Sequence, residues 1–470
     1  MCFLPKLNQI KKKTQTIATF RGLNERKSIA DGEFSDCCNV SLEEYPAVSV
    51  MDGYEQYGDA LEATGKIEAK STQNDMVIWR GSSATWSHLS KESTLHEWLL
   101  DDQLPALTVV KDFSMYNGSL VALGQTGTIP YLYILSIESD NTTKYQGTDF
   151  TTFFGGQIDR QPFLVPFGNR MIIVYKTEIH ISFKDNITDY TTFKVEGTPT
   201  EECAQVIKSD ADGDFTGCVN YRDYPIFFTE NSMYMLLGEY APFSLSRIDA
   251  IGCICPKTIA ICNGKLYFLS KLGVMEYDGG TPELISQNIN LDVNSASYTQ
   301  YQYACADNRY YYIGEYIYDT YTKTWSKQKI DGNYVCPQCY FNNQLYAMTY
   351  YWTDIPGESS YTVYTLYRKT KDTFSNWYFT TKQFHEYQEG KKIVSKLIIG
   401  FEKENTAALK IEVSLNKGTF QTVYTWDGTT DFVKEVPVLL PPCDYFQVRV
   451  SGTGKTIVHY IKREFRVLGA

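Results

Sequence analysis

The chain has 470 residues, with Lys+Arg 44 against Asp+Glu 55 for a net charge of -11; it is 43% hydrophobic and 15% aromatic, with 37 tyrosines. That apolar share can offset the entropy of ordering the chain, which excludes disorder, and the wealth of Tyr, Phe and Thr excludes a mostly helical protein. The acidic balance argues against a nucleic-acid coat, which would be basic.

The chain opens Met1-Cys-Phe-Leu-Pro-Lys-Leu-Asn-Gln-Ile-Lys-Lys-Lys13. It has no apolar run of the kind a secretory signal needs. Lys11 to Lys13 read as a solvated tail. Residues 1–60 are less regular than the rest of the chain and are expected to wrap the main body or reach a neighbour. No stretch approaches about 18 uninterrupted apolar residues, so no membrane-spanning segment is expected.

From residue 61 to 393 the sequence is a procession of short strand-like runs. Examples are Arg170 to Tyr175, Glu178 to Phe183, Ser232 to Leu237, Lys265 to Ser270 and Val274 to Tyr277. Each is rich in Tyr, Ile, Val and Phe and is bounded by turn residues. One short helix is predicted near 94–99, where Thr94 and Glu97 have capping-box spacing and Leu95, Trp98 and Leu99 share a face.

A loose repeat runs through this region. A turn containing Asn is followed by a strand that starts with an apolar residue, with the Asn at 74, 117, 169, 231, 263, 308 and 343. The mean step is about 45 residues, the period of four-stranded propeller blades. Asn-Gly turns accept positive φ and so set tight hairpins. One blade cannot bury both its faces, so blades stack around an axis. The reading is an irregular all-β propeller of about six blades, with five or seven left open; the uneven steps mean insertions, or two hairpins such as those at 231 and 263 sharing one blade. A string of unrelated hairpins in β-sandwiches is the alternative. Tyr318-Asp319 before Trp325 resembles the strand-ending pattern of kelch blades, without the kelch glycine doublet. From Val394 to the end the strands lengthen and alternate with a two-residue period, as in Ala408 to Leu415 and Thr456 to Val467. Residues 394–470 are read as a C-terminal β-sandwich.

Few residues suggest chemistry. Ser451-Gly-Thr-Gly-Lys-Thr456 resembles the end of a phosphate-binding loop, but position 449 is Arg and a strand pattern follows where a helix is needed. Those residues read as a hairpin turn. Asp210, Asp212 and Asp214 are weak metal candidates: their spacing suits a calcium loop, but Tyr221 stands where the bidentate carboxylate belongs. Cys336-Pro-Gln-Cys339 is a single CxxC, and Cys253, Cys255 and Cys262 do not complete a zinc set. The 12 cysteines are read as mostly buried free thiols in a chain made in a reducing cytosol, and the glycosylation-type triplets at Asn117, Asn141 and Asn186 as chance matches. His88, His96, His180, His385 and His459 are scattered and form no catalytic motif. No specific carboxylate pair for glycoside cleavage stands out, although propeller glycosidases assemble theirs from distant blades. No cofactor and no catalytic residue is expected.

Three places together carry a family resemblance. The first is Phe20-Arg-Gly22-Leu23-Asn24, followed by Gly32-Glu33 and Asn39. The second is Gly273-Val-Met-Glu-Tyr-Asp278-Gly279-Gly280. The third runs from Cys443 through Arg449 and Gly452 to Gly454 and ends in Phe465-Arg-Val-Leu-Gly469. In order and placement they resemble the tail-nozzle, or packaged-DNA stabilisation, proteins of short-tailed bacteriophages, from end to end of the chain. The resemblance implies a propeller with added β-domains, in a structural and not enzymatic virion protein of the tail, assembled in the host cytoplasm. It implies a self-assembled ring, usually a hexamer, below the portal and adaptor proteins. Such a ring continues the DNA channel, retains packaged DNA and acts as conduit at ejection, with transient contact to viral double-stranded DNA and with tail fibre or needle proteins attached. The acidic charge agrees with a surface that does not grip its cargo. The rival reading is a glycan-binding or glycan-cleaving propeller, and a third is a cytoplasmic scaffold for protein partners.

Overall fold

The structure is a computed structural model. It describes residues 12–468 apart from 27–28, 58–60, 63–66, 72–74, 81–84, 91–95, 99–108, 138–142, 195–196, 198, 210–212, 292, 294–302, 334, 354–360, 372, 386–389 and 427–431. The protein is nearly all β.

Among the described residues seven antiparallel sheets follow one another along the chain, the first six of them meanders in which successive strands pair. Sheet 1 comprises Ile67–Ser71, Asp75–Arg80, Thr85–Ser90 and His96–Trp98; sheet 2 comprises Val109–Tyr116, Ser119–Thr126, Ile129–Ile137 and Thr143–Asp149. Sheets 3 to 6 begin at Phe163–Phe167, Gly217–Tyr221, Ala260–Cys262 and Ala304–Ala306. Sheet 7 takes Cys336–Phe341, Gln344–Thr353 and Tyr361–Thr370 from the far end of this region. Its fourth strand, Gly53–Gln56, comes from the start of the chain and pairs antiparallel with Tyr361–Thr370, Tyr367 opposite Gln56.

Strand alternation explains why the sheets form a ring. In the second strand of sheet 2, Leu120 and Ala122 pack with Val77 of sheet 1, while Val121 and Leu123 point the other way and pack with Met171 and Ile173 of sheet 3. Both faces of the strand are apolar because both are covered. The same sharing joins sheets 3 and 4 through Ile172, Val174 and Phe227, and sheets 4 and 5 through Phe228 and Phe268. Tyr267 and Tyr311 stack between sheets 5 and 6 at 5.1 Å. Tyr312 and Leu345 join sheets 6 and 7. Met76 and Ile78 of sheet 1 pack on Phe341 and Met348 of sheet 7, which closes the circle. The arrangement is β-propeller-like, with seven such sheets among the described residues.

The turn between the first and second strand of a sheet explains the uneven steps of the repeat. Asn117, Asn263 and Asn343 sit in that turn with positive φ. In sheet 4 the same turn is made by Arg222 and Asp223, at φ 52° and 65°. Asn231 instead lies in the next connection of sheet 4, between Tyr224–Phe228 and Met233–Leu237. With 222 in place of 231 the spacing becomes more even. The turns at 231 and 263 therefore belong to different sheets and do not share one. The helix predicted near 94–99 does not form: His96–Trp98 is the outer strand of sheet 1, paired with Thr85–Ser90. Residues 94, 95 and 99 lie outside the described residues.

The rest of the chain forms a second body of two sheets. One contains Lys392–Lys403, Val433–Pro437 and Thr456–Val467; the other contains Trp377–Thr381, Ala408–Leu415, Gln421–Trp426 and Phe446–Thr453. Leu397, Ile399 and Phe401 of the first share a core with Ile411, Val413 and Val450 of the second. This body thus begins before residue 394, and described residues between 13 and 56 enter both bodies. Lys13–Ile17 pairs with Thr456–Val467, Phe34–Cys38 with Trp377–Thr381, and Val48–Val50 also with Thr456–Val467. Gly53–Gln56 then closes sheet 7.

The seam between the bodies is apolar and continuous. Phe20, Leu23, Phe34 and Leu42 share one core with Tyr267, Tyr318 and Trp325 of sheets 5 and 6 and with Phe379 and Val448 of the second body. Trp325 donates Nε1–H to the Ile285 carbonyl at 2.8 Å and lies 5.0 Å from the Tyr318 ring. Polar contacts pin the same segment. Asp31 pairs with Lys382 at 2.9 Å and with Arg463 at 3.5 Å, while the Arg463 guanidinium lies 3.9 Å from the Phe384 ring centre.

Burial pushes the Asp31 pKa up, but the hydrogen bond from Lys382 and the charge of Arg463 outweigh it, and the net position is below the usual 3.8. A carboxylate held low in the folded state stabilises it above the unfolded pKa and loses that contribution as pH falls through the folded value. Asp31→Asn is therefore expected to be less stable than the wild type at pH 7, with the difference shrinking below about pH 4. Urea midpoints measured from pH 7 to pH 2.5 check this; a difference independent of pH would remove Asp31 from the account.

Candidate functional site

The first strands of the seven sheets surround one central cavity of about 990 Å³, to which every sheet contributes lining residues. Its wall is stitched by polar contacts between neighbouring sheets. Ser71 Oγ donates to the Tyr340 carbonyl at 2.8 Å, and the Ala69 N–H donates to Gln338 Oε1 at 3.3 Å, so sheets 1 and 7 meet at the axis. Lys70 of sheet 1 forms an ion pair with Asp112 of sheet 2 and donates to the Phe113 carbonyl at 2.8 Å. Asp112 Oδ2 accepts from the Leu164 N–H of sheet 3 at 2.8 Å. One carboxylate thus ties three consecutive sheets, which a bifurcated acceptor in a half-buried position does well.

Further round the wall, Lys257 lies 4.9 Å from the Tyr303 ring centre, a cation–π contact between sheets 5 and 6. Cys218, Cys255, Cys305 and Cys339 come one each from sheet 4, the connection into sheet 5, sheet 6 and sheet 7. Burial pushes all four thiols up, Cys339 to about 12. They are therefore neutral thiols and not nucleophilic thiolates at neutral pH. Asp112 is the one carboxylate among the described lining residues.

The residues singled out by sequence lie elsewhere. Gly22, Leu23, Asn24, Gly32, Glu33 and Asn39 gather at the seam. Gly22, at φ 79°, passes so close to sheet 6 that a Cβ would stand 2.7 Å from Thr324 Cβ. Leu23 N–H donates to the Trp325 carbonyl at 2.7 Å. Asn24 and Glu33 bond each other at 2.9 Å, and Gly32 has φ 90° against the Thr19 carbonyl. Asn39 donates to the Asn376 carbonyl and accepts from the Lys329 N–H. Asp278, Gly279 and Gly280 form an exposed turn after Gly273–Tyr277, where the Asp278 carbonyl accepts from Arg222 at 2.9 Å. Arg449 lies 3.9 Å from the Phe420 ring centre and donates to Thr380. Gly452 and Gly454 pack against Ala408 and Ala407. All of these position backbone or join bodies, and none lines the axis.

The phosphate-loop-like residues connect Phe446–Thr453 to Thr456–Val467, which belong to different sheets. The turn is thus a crossing between sheets and not a hairpin. Asp210 and Asp212 lie outside the described residues, and Asp214 is exposed and 3.6 Å from Arg160. No group of three or more metal-type ligands is found among the described residues, and the 11 described cysteines are free, Cys336 and Cys339 both buried. His180 contacts Glu178 at 3.1 Å and His459 contacts Glu402 at 3.0 Å. The His385 and Tyr445 rings lie 4.8 Å apart and tilted to one another. No described helix is long and apolar enough to cross a membrane.

No protein-family model and no curated protein matches the chain. Solved structures do resemble it. A virginiamycin B lyase from Staphylococcus aureus is 11% identical, with 65% of this chain and 96% of that one covered and a TM-score of 0.32. A streptogramin B lyase is 10% identical over 67% and 96% of the two chains, with a TM-score of 0.38. An exo-β-1,3-galactanase from Phanerochaete chrysosporium is 9% identical over 87% and 100%, with a TM-score of 0.32. The sequence reading excluded an enzyme. These similar structures are enzymes, and that exclusion does not stand. At such identities and TM-scores the likeness assigns no reaction or substrate to this chain.

The axial residues escaped the sequence reading for a plain reason. Lys70, Asp112, Lys257 and Gln338 are far apart in the chain and meet only when the ring closes. The signal that could have found them is positional, since each lies on, or just before, the strand that precedes one of the repeated turns.

Proposed function

We propose that the chain is the rigid subunit of a ring-shaped bacteriophage tail assembly, a seven-bladed propeller welded to a β-sandwich. In this reading copies of the chain close into a ring below portal and adaptor proteins, extend the DNA channel, retain packaged DNA and serve as conduit at ejection. The observation that carries it is the threading of residues 13–56 through both bodies, which makes one stiff unit of them. A wall that bears pressure needs such a unit. The net charge of -11 suits a surface along which DNA slides, since each cation–phosphate contact would add salt-sensitive affinity. Exposed aromatics such as Tyr45, Tyr240 and Tyr321 suit subunit faces. The cavity within one chain has the size of a small-molecule site, roughly 300–1,000 Å³, so the DNA passage in this reading lies between subunits, closed by heterologous contacts.

Negative-stain microscopy and mass photometry of the purified protein, alone and with portal complexes, test the proposal. Closed rings, six copies expected, support it. A chain that stays monomeric in both settings overturns it.

A second reading, a glycan-binding or glycan-cleaving propeller, is favoured by the axial cavity itself, which combines Gln161, Gln338, Tyr303 and Tyr340 in one wall. Binding to a glycan array, or release of reducing sugar, by a chain that remains monomeric is its expected result.

A further inference from the structure

The charge of the chain is shared unevenly between its two bodies. Residues 57–376, which hold the ring apart from its closing strand, carry 24 Lys and Arg against 37 Asp and Glu. Residues 1–56 and 377–470 carry 20 against 18, so the net charge is -13 on the first part and +2 on the second.

Cations of the second body gather on one outer sheet face. In Thr456–Val467, Lys462, Glu464 and Arg466 alternate with Ile461, Arg463, Phe465 and Val467, which are buried. Successive side chains of a strand point to opposite faces, so the first three point away from the core. Lys396 stands opposite Glu464 in the next strand. Lys12 is ion-paired with Glu464, and Lys396 with Glu435 at 2.6 Å. Lys462 and Arg466 are left in excess. Neither has an ion-pair partner among the described residues, and the field of Glu464, which Lys462 shares, is already met by Lys12. Tyr460 lies across Gly400 on the same face, where a Cβ would stand 2.2 Å from its ring.

The ring presents the complement. On sheet 4 the connection from Met233–Leu237 to Ser244–Asp249 exposes Leu237 (40%) and Tyr240 (61%). Tyr240 donates to Glu239 at 3.1 Å, and that bond, with the charges of Glu239 and Glu201, holds its phenol above the usual range. Neither carboxylate is ion-paired among the described residues; Arg170 nearby turns to the carbonyls of Ser182, Glu201 and Cys203. The connection is held in place, because the Gln205 side-chain amide bonds both the N–H and the carbonyl of Phe243, at 2.7 and 2.8 Å. The core that joins the two bodies draws on sheets 5 and 6 and on no described residue of sheet 4.

We propose that the outer face bearing Tyr460, Lys462 and Arg466 docks on the patch of Leu237, Tyr240, Glu201 and Glu239 on a second copy of the chain. Two unlike faces on one chain make a heterologous contact, which closes rings or extends filaments. The apolar side chains supply buried area, and the charges set partner and register. The inference rests on the ring reading and names the contact that reading needs.

Sedimentation velocity, in the setting where wild type assembles, tests it. Lys462→Glu with Arg466→Glu, and Glu201→Lys with Glu239→Lys, are each expected to weaken assembly by at least about tenfold, because like charges then face each other. An equimolar mixture of the two variants is expected to assemble, since each junction between unlike copies is again complementary. A single chain carrying all four changes is expected to assemble for the same reason. Wild-type assembly is expected to weaken as salt rises from about 0.1 M to about 1 M. Circular dichroism and melting temperature check that the variants are folded. Variants that assemble like wild type, or a mixture that stays apart, overturn the contact and leave the ring reading standing. A wild type that stays monomeric alone and with portal complexes overturns both. Duplex DNA held by wild type and released by Lys462→Glu with Arg466→Glu, with assembly unchanged, overturns the contact in favour of a nucleic-acid face.

Discussion

Trp325→Ala is expected to lower the stability of the protein by about 3–5 kcal/mol, the range for deleting a large buried aromatic. Trp325 is 3% exposed and stands where sheet 6, the N-terminal segment and the second body meet. Its loss leaves a cavity against Tyr318 and Tyr316 and leaves the Ile285 carbonyl without its donor. Backbone contacts from Leu23 to residue 325 hold the neighbouring chain in place, so the site cannot collapse to fill the space. Trp325→Phe keeps most of the volume and loses the hydrogen bond, at an expected cost of about 1–3 kcal/mol. Urea unfolding followed by circular dichroism checks both. Equal midpoints for the two variants would show that the hydrogen bond, and not packing, holds the seam.

Removing residues 1–57 is expected to abolish cooperative folding. The segment contributes Phe20, Leu23, Phe34, Val40, Leu42 and Val48, each 5% exposed or less. At about 1.5–3 kcal/mol per fully buried apolar side chain, their sum matches the whole stability of a typical domain. The deletion also strips the closing strand from sheet 7 and partner strands from both sheets of the second body. Three bare sheet edges are templates for aggregation. The expected result is insoluble protein, or two separate unfolding transitions where the intact chain shows one. Supplying residues 1–57 as a separate peptide is expected to restore solubility in part, since the contacts are non-covalent strand pairings. A soluble truncated chain with one unchanged transition would mean that the segment is decoration and not a closure.

Several features were legible from local sequence because the physics behind them is local. Two-residue alternation and β-favouring residues marked the strands of both bodies, and Asn turns with positive φ marked the hairpins at Asn117, Asn263 and Asn343. The turn at Arg222 and Asp223 was missed because these residues adopt positive φ without the Asn signal. The turn at Asn231 was misplaced because Asn suits any tight connection. The predicted helix near 94–99 failed because tertiary pairing of His96–Trp98 with the adjacent strand overrides a capping pattern over so short a run.

The candidate site was not legible at all. Lys70, Asp112 and Lys257 carry no motif, and each would read as a solvated strand residue by itself. The glycines and polar residues that did form motifs, such as Gly22, Gly32 and Asn39, proved to shape the seam between bodies, where positive φ and close backbone approach demand them.

The composition and the period of the chain by themselves determined an acidic, tyrosine-rich protein of short antiparallel sheets, since these follow from side-chain alternation and turn chemistry within a few residues. Only the tertiary structure decided that seven sheets of the described residues stand in a ring, that a strand from early in the chain closes the last of them, and that the tyrosines Tyr267, Tyr311 and Tyr318 serve an internal seam. The reason is that closing a ring joins residues hundreds of positions apart, and the entropy of that closure is offset only by burial that no local window contains.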